Sequence, residues 1–159
     1  MAVYLVRHAE AKHEDEDPER PLSDTGWEEA RKVAAFISQI RGLRAQRILH
    51  SGKARARQTA EVLAEVLQPA EGVEETDGLD PNADPFIWAN HLGDTEENIV
   101  LVGHLPHMGR LAGLLVTGKP DREAVQFQSG ALVCLDQQEA ENWTVQWMVV
   151  PRVLPAADD

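Results

Sequence analysis

Apolar positions along this chain recur with two periods. Ala2-Val3-Tyr4-Leu5-Val6 and Ile99 to Val102 are unbroken apolar runs of strand length, and Gln46 to His50 is a third segment of that size. Runs of this kind suit strands covered on both faces of a sheet. Between them the spacing turns helical, first in Ala30, Val33, Ala34, Ile37 and Ile40, then in Ala56, Thr59, Leu63, Val66 and Leu67, then in Met108, Leu111, Ala112 and Leu115. Each set falls on one face of a helix. Ser23 or Thr25 can cap the first helix and Gly42 can end it, while Pro69 stops the second, whose first turn holds Arg55. Asp84-Pro85 and Gly93 bracket a short covering helix, and Pro106 and Gly118 bracket the last one. Near the end, Ala131 to Leu135 and Thr144 to Val149 flank the polar stretch Asp136 to Asn142, which predicts an antiparallel hairpin at the sheet's edge. The alternation predicts an α/β fold: a three-layer α/β/α sandwich on a mainly parallel central sheet with an antiparallel edge.

The length of 159 residues suits one domain, read here as residues 1–150 followed by a frayed tail over 151–159. No apolar stretch approaches the roughly 20 residues that cross a bilayer, and the N-terminus lacks a basic segment followed by an apolar one. The expectation is a soluble, unexported protein. Cys134 is the single cysteine, so no internal disulfide can form, which fits a reducing compartment and a cytoplasmic location. A net charge of −12 argues against nucleic acid or an anionic membrane as partner. An anionic substrate must therefore meet a local cationic pocket.

The strand ends carry that pocket's candidates. The first apolar run ends in Arg7-His8 and the strand-like run Ile99 to Val102 in Gly103-His104, so two histidines reach one edge of the sheet. Ligands of open α/β sheets bind at the carboxyl ends of the strands. Arg55 from the second helix would join them, with the helix starts beside Ser51 and His104 adding oriented backbone N–H groups. An imidazole can take up a phosphoryl group covalently, and guanidinium forks match phosphate oxygens in pairs. A histidine at a strand end is more often structural, and an arginine is often a surface ion-pair partner; the convergence of three motifs favours chemistry. Glu14-Asp15-Glu16-Asp17 reads as a solvated loop, and Arg57 as a surface residue. His104-x-x-His107 lacks further ligands at zinc spacing, so neither metal nor other cofactor is expected. Gly113-x-x-x-x-Gly118-Lys119 misses the hydroxyl residue of a phosphate-binding loop and closes a helix instead of opening one.

Leu5-Val6-Arg7-His8-Ala9-Glu10, Ser51-x-x-x-Arg55-x-x-Gln58-Thr59 and Val102-Gly103-His104 together resemble the histidine phosphatase (phosphoglycerate-mutase-like) superfamily. Arg20-Pro21-Leu22-Ser23 and Gly103-His104-Leu105-Pro106 resemble, more narrowly, the SixA-type phosphohistidine phosphatases. The resemblance spans nearly the whole chain and implies a phosphoglycerate-mutase-like fold. It implies His8 as nucleophile, Arg7 and Arg55 as phosphate clamps, His104 as a further phosphate ligand, and Arg20 and Ser51 as substrate-binding residues. Ala9 stands where the family's first motif usually has glycine, and Gly52 where proline or serine is frequent; neither change touches a charged group.

Larger members of that superfamily supply a general acid from a segment corresponding to Thr76 to Asp84, where this chain offers Asp77 and Asp80 outside the usual pattern. General acid catalysis is worth roughly 10²- to 10⁴-fold, and an alkoxide leaving group, comparable to water with a pKa of about 15.7, needs it. An imidazole, whose pKa is about 6.5, leaves without it. A missing acid therefore favours P–N over P–O hydrolysis. The short chain implies a shallow site open to a protein surface, so the resemblance implies a phosphohistidine-bearing protein as partner, either a phosphorelay phosphotransfer domain or a phosphocarrier, with phosphate or another oxyanion in the pocket. Two alternatives stay open: a small-molecule phosphomonoesterase or mutase using Asp77 or Asp80, and a non-catalytic phosphate-binding module. Because His8 must be neutral to attack, activity is expected to fall on the acid side with an apparent pKa in the ordinary histidine range.

Overall fold

A sheet whose central strands are apolar on both faces needs a helical layer on each side, and the chain supplies both. The structure, a computed structural model, describes residues 1–139 and 142–157. Six strands, β1 (Ala2–Arg7), β2 (Arg47–His50), β3 (Val73–Glu75), β4 (Ile99–Gly103), β5 (Leu132–Glu139) and β6 (Asn142–Val149), form one sheet in the order β3-β2-β4-β1-β5-β6. The pairs β3–β2, β2–β4 and β4–β1 are parallel, whereas β1–β5 and β5–β6 are antiparallel. On one face Tyr4, Val6, Ile48, Val100, Val102 and Leu132 pack under helices α1 (Asp24–Ile37) and α2 (Ala54–Leu67). On the other, Val3, Leu5, Leu49, Ile99, Leu101 and Val133 pack under α3 (Pro85–Gly93) and α4 (His107–Thr117). Successive strand residues thus serve opposite layers, and the three-layer sandwich with an antiparallel edge stands as expected.

Local chemistry explains most element ends. Ser23 caps α1 by accepting from the Gly26 N–H at 3.1 Å, and Asp84 caps α3 through the Phe86 N–H at 3.0 Å, with Pro85 opening that helix. Gly118, at φ 83°, ends α4 in the left-handed conformation. Several details differ from the pattern reading. Helix α1 stops at Ile37, before Gly42, because the Ser38 hydroxyl donates to the Ala35 carbonyl at 2.7 Å and the chain tightens into turns through Ile40. Ile40 remains packed against the core from that turn. Strand β3 lies outside the predicted elements because Val73-Glu74-Glu75 holds one apolar residue in three, which suffices at an exposed edge. The hairpin strands run further into the polar stretch than expected, since backbone pairing at an edge tolerates solvated side chains. Residues 151–153 form a short 3₁₀ turn with Pro151 buried near Gly130, so the start of the tail is docked, while residues 158 and 159 of that tail lie outside the described residues.

Candidate active site

Strand register assembles the site. Arg7 pairs with Gly103 across β1 and β4, and His50 pairs with Val102 across β2 and β4. One step further along each strand, His8, His104 and Ser51 leave the sheet at the same edge. The His8 N–H donates to the Gly103 carbonyl at 2.9 Å, and the His8 and His104 rings lie 4.9 Å apart, tilted by 56°. Ser51 Oγ meets His104 Nε2 at 2.6 Å, so this hydroxyl anchors the second histidine. Helices α2 and α4 start just beyond Ser51 and His104, which turns two helix N-termini toward this edge.

Two further contacts bring in the arginines. Thr59, 1% exposed, accepts from the Ala9 N–H at 3.0 Å and donates to the Arg55 carbonyl at 2.8 Å, tying the loop after β1 to the first turn of α2. Gln58 accepts from the Leu22 N–H at 2.8 Å and holds the returning Arg20–Ser23 segment against that helix. Arg20 adopts a left-handed φ of 48°, uncommon for a side chain of its size, and its Nε donates to the Lys12 carbonyl at 3.0 Å. Its charge bears on both His8 and Arg55. On the other flank, Arg7 NH1 donates to the Phe127 carbonyl at 3.0 Å, and the Gly130 N–H donates to the His8 carbonyl at 3.2 Å. The structure therefore brings Arg7, His8, Arg20, Ser51, Arg55 and His104 to one place.

The electrostatics follow from burial among cations. Burial pushes the His8 imidazole down to about 4; the hydrogen bond to Ala9 opposes this, while Arg55, Arg7 and Arg20 add to it. His104 is pushed to about 3, again by burial first and then by His8, Arg55 and Lys53. Burial also lowers Arg7, opposed by Glu29, and lowers Arg55, reinforced by Arg20; both keep their charge at neutral pH. Both arginine Nε atoms are buried without a hydrogen-bond partner among the described residues. His8 Nδ1 lies 2.7 Å from the Ala9 carbonyl. A carbonyl only accepts, so Nδ1 carries the proton and the lone pair of neutral His8 is on Nε2. The arrangement is an unprotonated imidazole inside a field of guanidinium charge, chemically suited to a tetrahedral oxyanion.

Some contributors escaped the sequence reading. The turn through Phe127 and Gly130, which holds Arg7 and His8, carries no motif; its one local signal is Gly130 at φ 75°. His107 is fully buried, with neither ring nitrogen hydrogen-bonded among the described residues, and burial with help from Arg110 lowers it to about 4. Asp80 and Asp84 act on His107, and the Asp77 carbonyl accepts from Trp88 Nε1 at 2.9 Å. Arg57 is half-exposed and lies 3.5 Å from Glu61, as a surface residue would. Among the described residues no three His, Cys, Asp or Glu side chains are grouped to hold a metal ion, and no helix is long and apolar enough to cross a membrane.

The chain is similar in sequence and in fold to known proteins. Residues 3–81 match the model of the histidine phosphatase superfamily (branch 1). Phosphohistidine phosphatase SixA of Escherichia coli (strain K12) is 26% identical over 156 residues, covering 95% of this chain and 94% of that protein. An uncharacterized protein of Picosynechococcus sp. is 35% identical over 127 residues, or 75% of each chain. A solved structure of the protein histidine phosphatase SixA complexed with tungstate superposes with a TM-score of 0.84 at 26% identity, covering 96% of this chain and 98% of that one.

Proposed function

The chain belongs to the histidine phosphatase superfamily, and from that premise we propose that it removes the phosphoryl group from phosphohistidine on another protein, through a covalent phospho-His8 intermediate. One observation carries the reading: the Nδ1–H of His8 is spent on the Ala9 carbonyl at 2.7 Å, leaving Nε2 free in the charge field of Arg55, Arg7 and Arg20. His8 Nε2 attacks phosphorus in line, and the P–N bond of the substrate breaks; the departing imidazole takes a proton from water. Arg7 and Arg55 hold the phosphoryl oxygens as charge spreads over them, while His104, held by Ser51, and Arg20 complete the oxyanion pocket. Water then attacks phospho-His8, forming the new P–O bond and returning His8 and orthophosphate. No step requires a metal. The tungstate held by the similar SixA structure has the shape of phosphate, which supports an oxyanion here.

The charges bearing on His8 are arginines, and Asp80 acts on His107 instead, a charge pattern that favours a substrate whose leaving group needs no acid. A phosphohistidine protein of the cytoplasm fits that requirement. The test incubates wild type and His8→Ala with a ³²P-phosphohistidine protein and with para-nitrophenyl phosphate. Release from phosphohistidine that falls by at least about 10³-fold in His8→Ala, with feeble ester turnover, is expected for loss of a covalent nucleophile. Strong ester turnover would establish a phosphomonoesterase, and binding without release would establish a phosphate-binding module.

A further inference from the structure

We propose that Glu29, on the second turn of α1, is the positioning residue that holds Arg7 and His8 in register with each other. The inference rests on the function proposed above. A single carboxylate oxygen, Glu29 Oε1, accepts two hydrogen bonds, from the Glu10 backbone N–H at 2.8 Å and from the Ser129 hydroxyl at 2.9 Å. Glu10 lies two residues beyond His8. Ser129 lies in the turn that receives Arg7 NH1 at the Phe127 carbonyl and whose Gly130 N–H donates to the His8 carbonyl. Glu29 thus clamps together the two segments between which Arg7 and His8 are held, and its charge favours the Arg7 cation against the burial that opposes it. The remaining contacts of Glu10 lead back to the same helix: Ser23, the cap of α1, donates from its N–H to the Glu10 carbonyl at 3.0 Å and from its hydroxyl to Glu10 Oε2 at 2.8 Å. Helix α1 therefore acts as a rigid template for the loop that presents the nucleophile. Glu29 itself takes no part in bond making and acts through Glu10 and Ser129.

The test compares Glu29→Ala, Glu29→Gln, Ser129→Ala, Ser129→Thr and the double variant Glu29→Ala/Ser129→Ala. Glu28→Ala, exposed on the same helix and 3.8 Å from Lys32, is the control. Measured are kcat and KM on a phosphohistidine protein, Kd for orthophosphate, and the His8 ring signals in a two-dimensional ¹H–¹⁵N spectrum. Loosening the nucleophile by a fraction of an ångström is expected to lower kcat/KM by about 10- to 100-fold in Glu29→Ala and Ser129→Ala. The His8 signals should shift while those of His50 and His91 stay in place. Glu29→Gln retains an oxygen for both donors and Ser129→Thr retains the hydroxyl, so each should recover most of that loss. The double variant should be no worse than the poorer single one, because both remove the same clamp. Activity and orthophosphate binding within twofold of wild type in Glu29→Ala and Ser129→Ala would overturn the proposal. So would losses that multiply in the double variant, or losses with unmoved His8 signals. A wild type that neither turns over phosphohistidine nor binds orthophosphate would overturn the proposed function instead, and the His8 spectrum would still decide whether Glu29 positions that ring.

Discussion

At the scale of single residues, the site depends on which atoms of His8 are occupied. A free histidine titrates near 6.5, and the sequence reading placed the acid limb of activity in that range. Burial next to Arg7, Arg20 and Arg55 moves the folded value to about 4, so His8 stays unprotonated well below neutrality. The sign is direct: protonation removes the Nε2 lone pair, so activity is full above the folded value and lost as pH falls through it. A profile of kcat/KM, which reports the free enzyme, is therefore expected to stay level from pH 8 to about 5 and to fall with a midpoint near 4. A midpoint near 6.5 would show that burial and the arginine field do not act on the nucleophile. Arg20 illustrates a different dependence. It follows an acidic loop in sequence, yet a left-handed backbone at φ 48° turns it back toward the pocket. Such a conformation costs about 1–3 kcal/mol and persists only where surrounding contacts enforce it, here those of Lys12, Asp17 and Gln58.

At the scale of elements, the site is built where strands end and helices begin. Arg7-His8, His50-Ser51 and Gly103-His104 form one row because β1, β2 and β4 are parallel and in register. Their order in the sheet, with β4 between β2 and β1, is what sets Ser51 beside His104 and His104 beside His8. Helix α1 contributes through close approach. A Cβ built on Gly26 would collide with the Glu10 carbonyl oxygen, so only glycine allows α1 to lie against the segment after His8. Gly26→Ala is expected to push helix and loop apart, lowering stability by about 1–3 kcal/mol as for other overpacked sites. A lower urea midpoint at unchanged slope, together with reduced kcat/KM, is the expected result. An unchanged midpoint would mean that the loop yields freely and that the close approach carries no cost.

At the scale of the whole molecule, a chain of net charge −12 gathers Arg7, Arg20 and Arg55 at one sheet edge, a local cationic field against an acidic background. His8, His104 and His107 are lowered to about 4, 3 and 4, all chiefly by burial. In the unfolded chain they titrate near 6.5, so between that value and the folded ones the unfolded state binds more protons. Their contribution to stability is complete above about pH 6.5 and is lost progressively as pH falls toward 4 and 3. Urea midpoints are therefore expected to decline from pH 7 to pH 4.5, less steeply in His107→Phe, which removes a buried group that the unfolded state protonates. A decline of equal steepness in that variant would assign acid sensitivity to other groups.

The amino-acid sequence by itself determined the layers and the edge. Continuous apolar runs call for a sheet buried on both faces, helical spacing supplies the covering layers, and Arg7-His8 and Gly103-His104 follow runs whose carboxyl ends must share a side in a parallel sheet. Helix caps such as Ser23, Asp84 and Gly118 were legible because their chemistry is local. Strand β3 and the docked Pro151 were not, since edge pairing and a single buried contact leave no periodic trace. Only the tertiary structure decided which ring nitrogen of His8 is free, how far burial lowers its pKa, and that Glu29 bonds both Glu10 and Ser129 while the turn from Phe127 to Gly130 meets Arg7 and His8. These depend on groups up to 120 positions apart meeting within 3 Å, and the cost of burying a charge has no value until a surrounding exists.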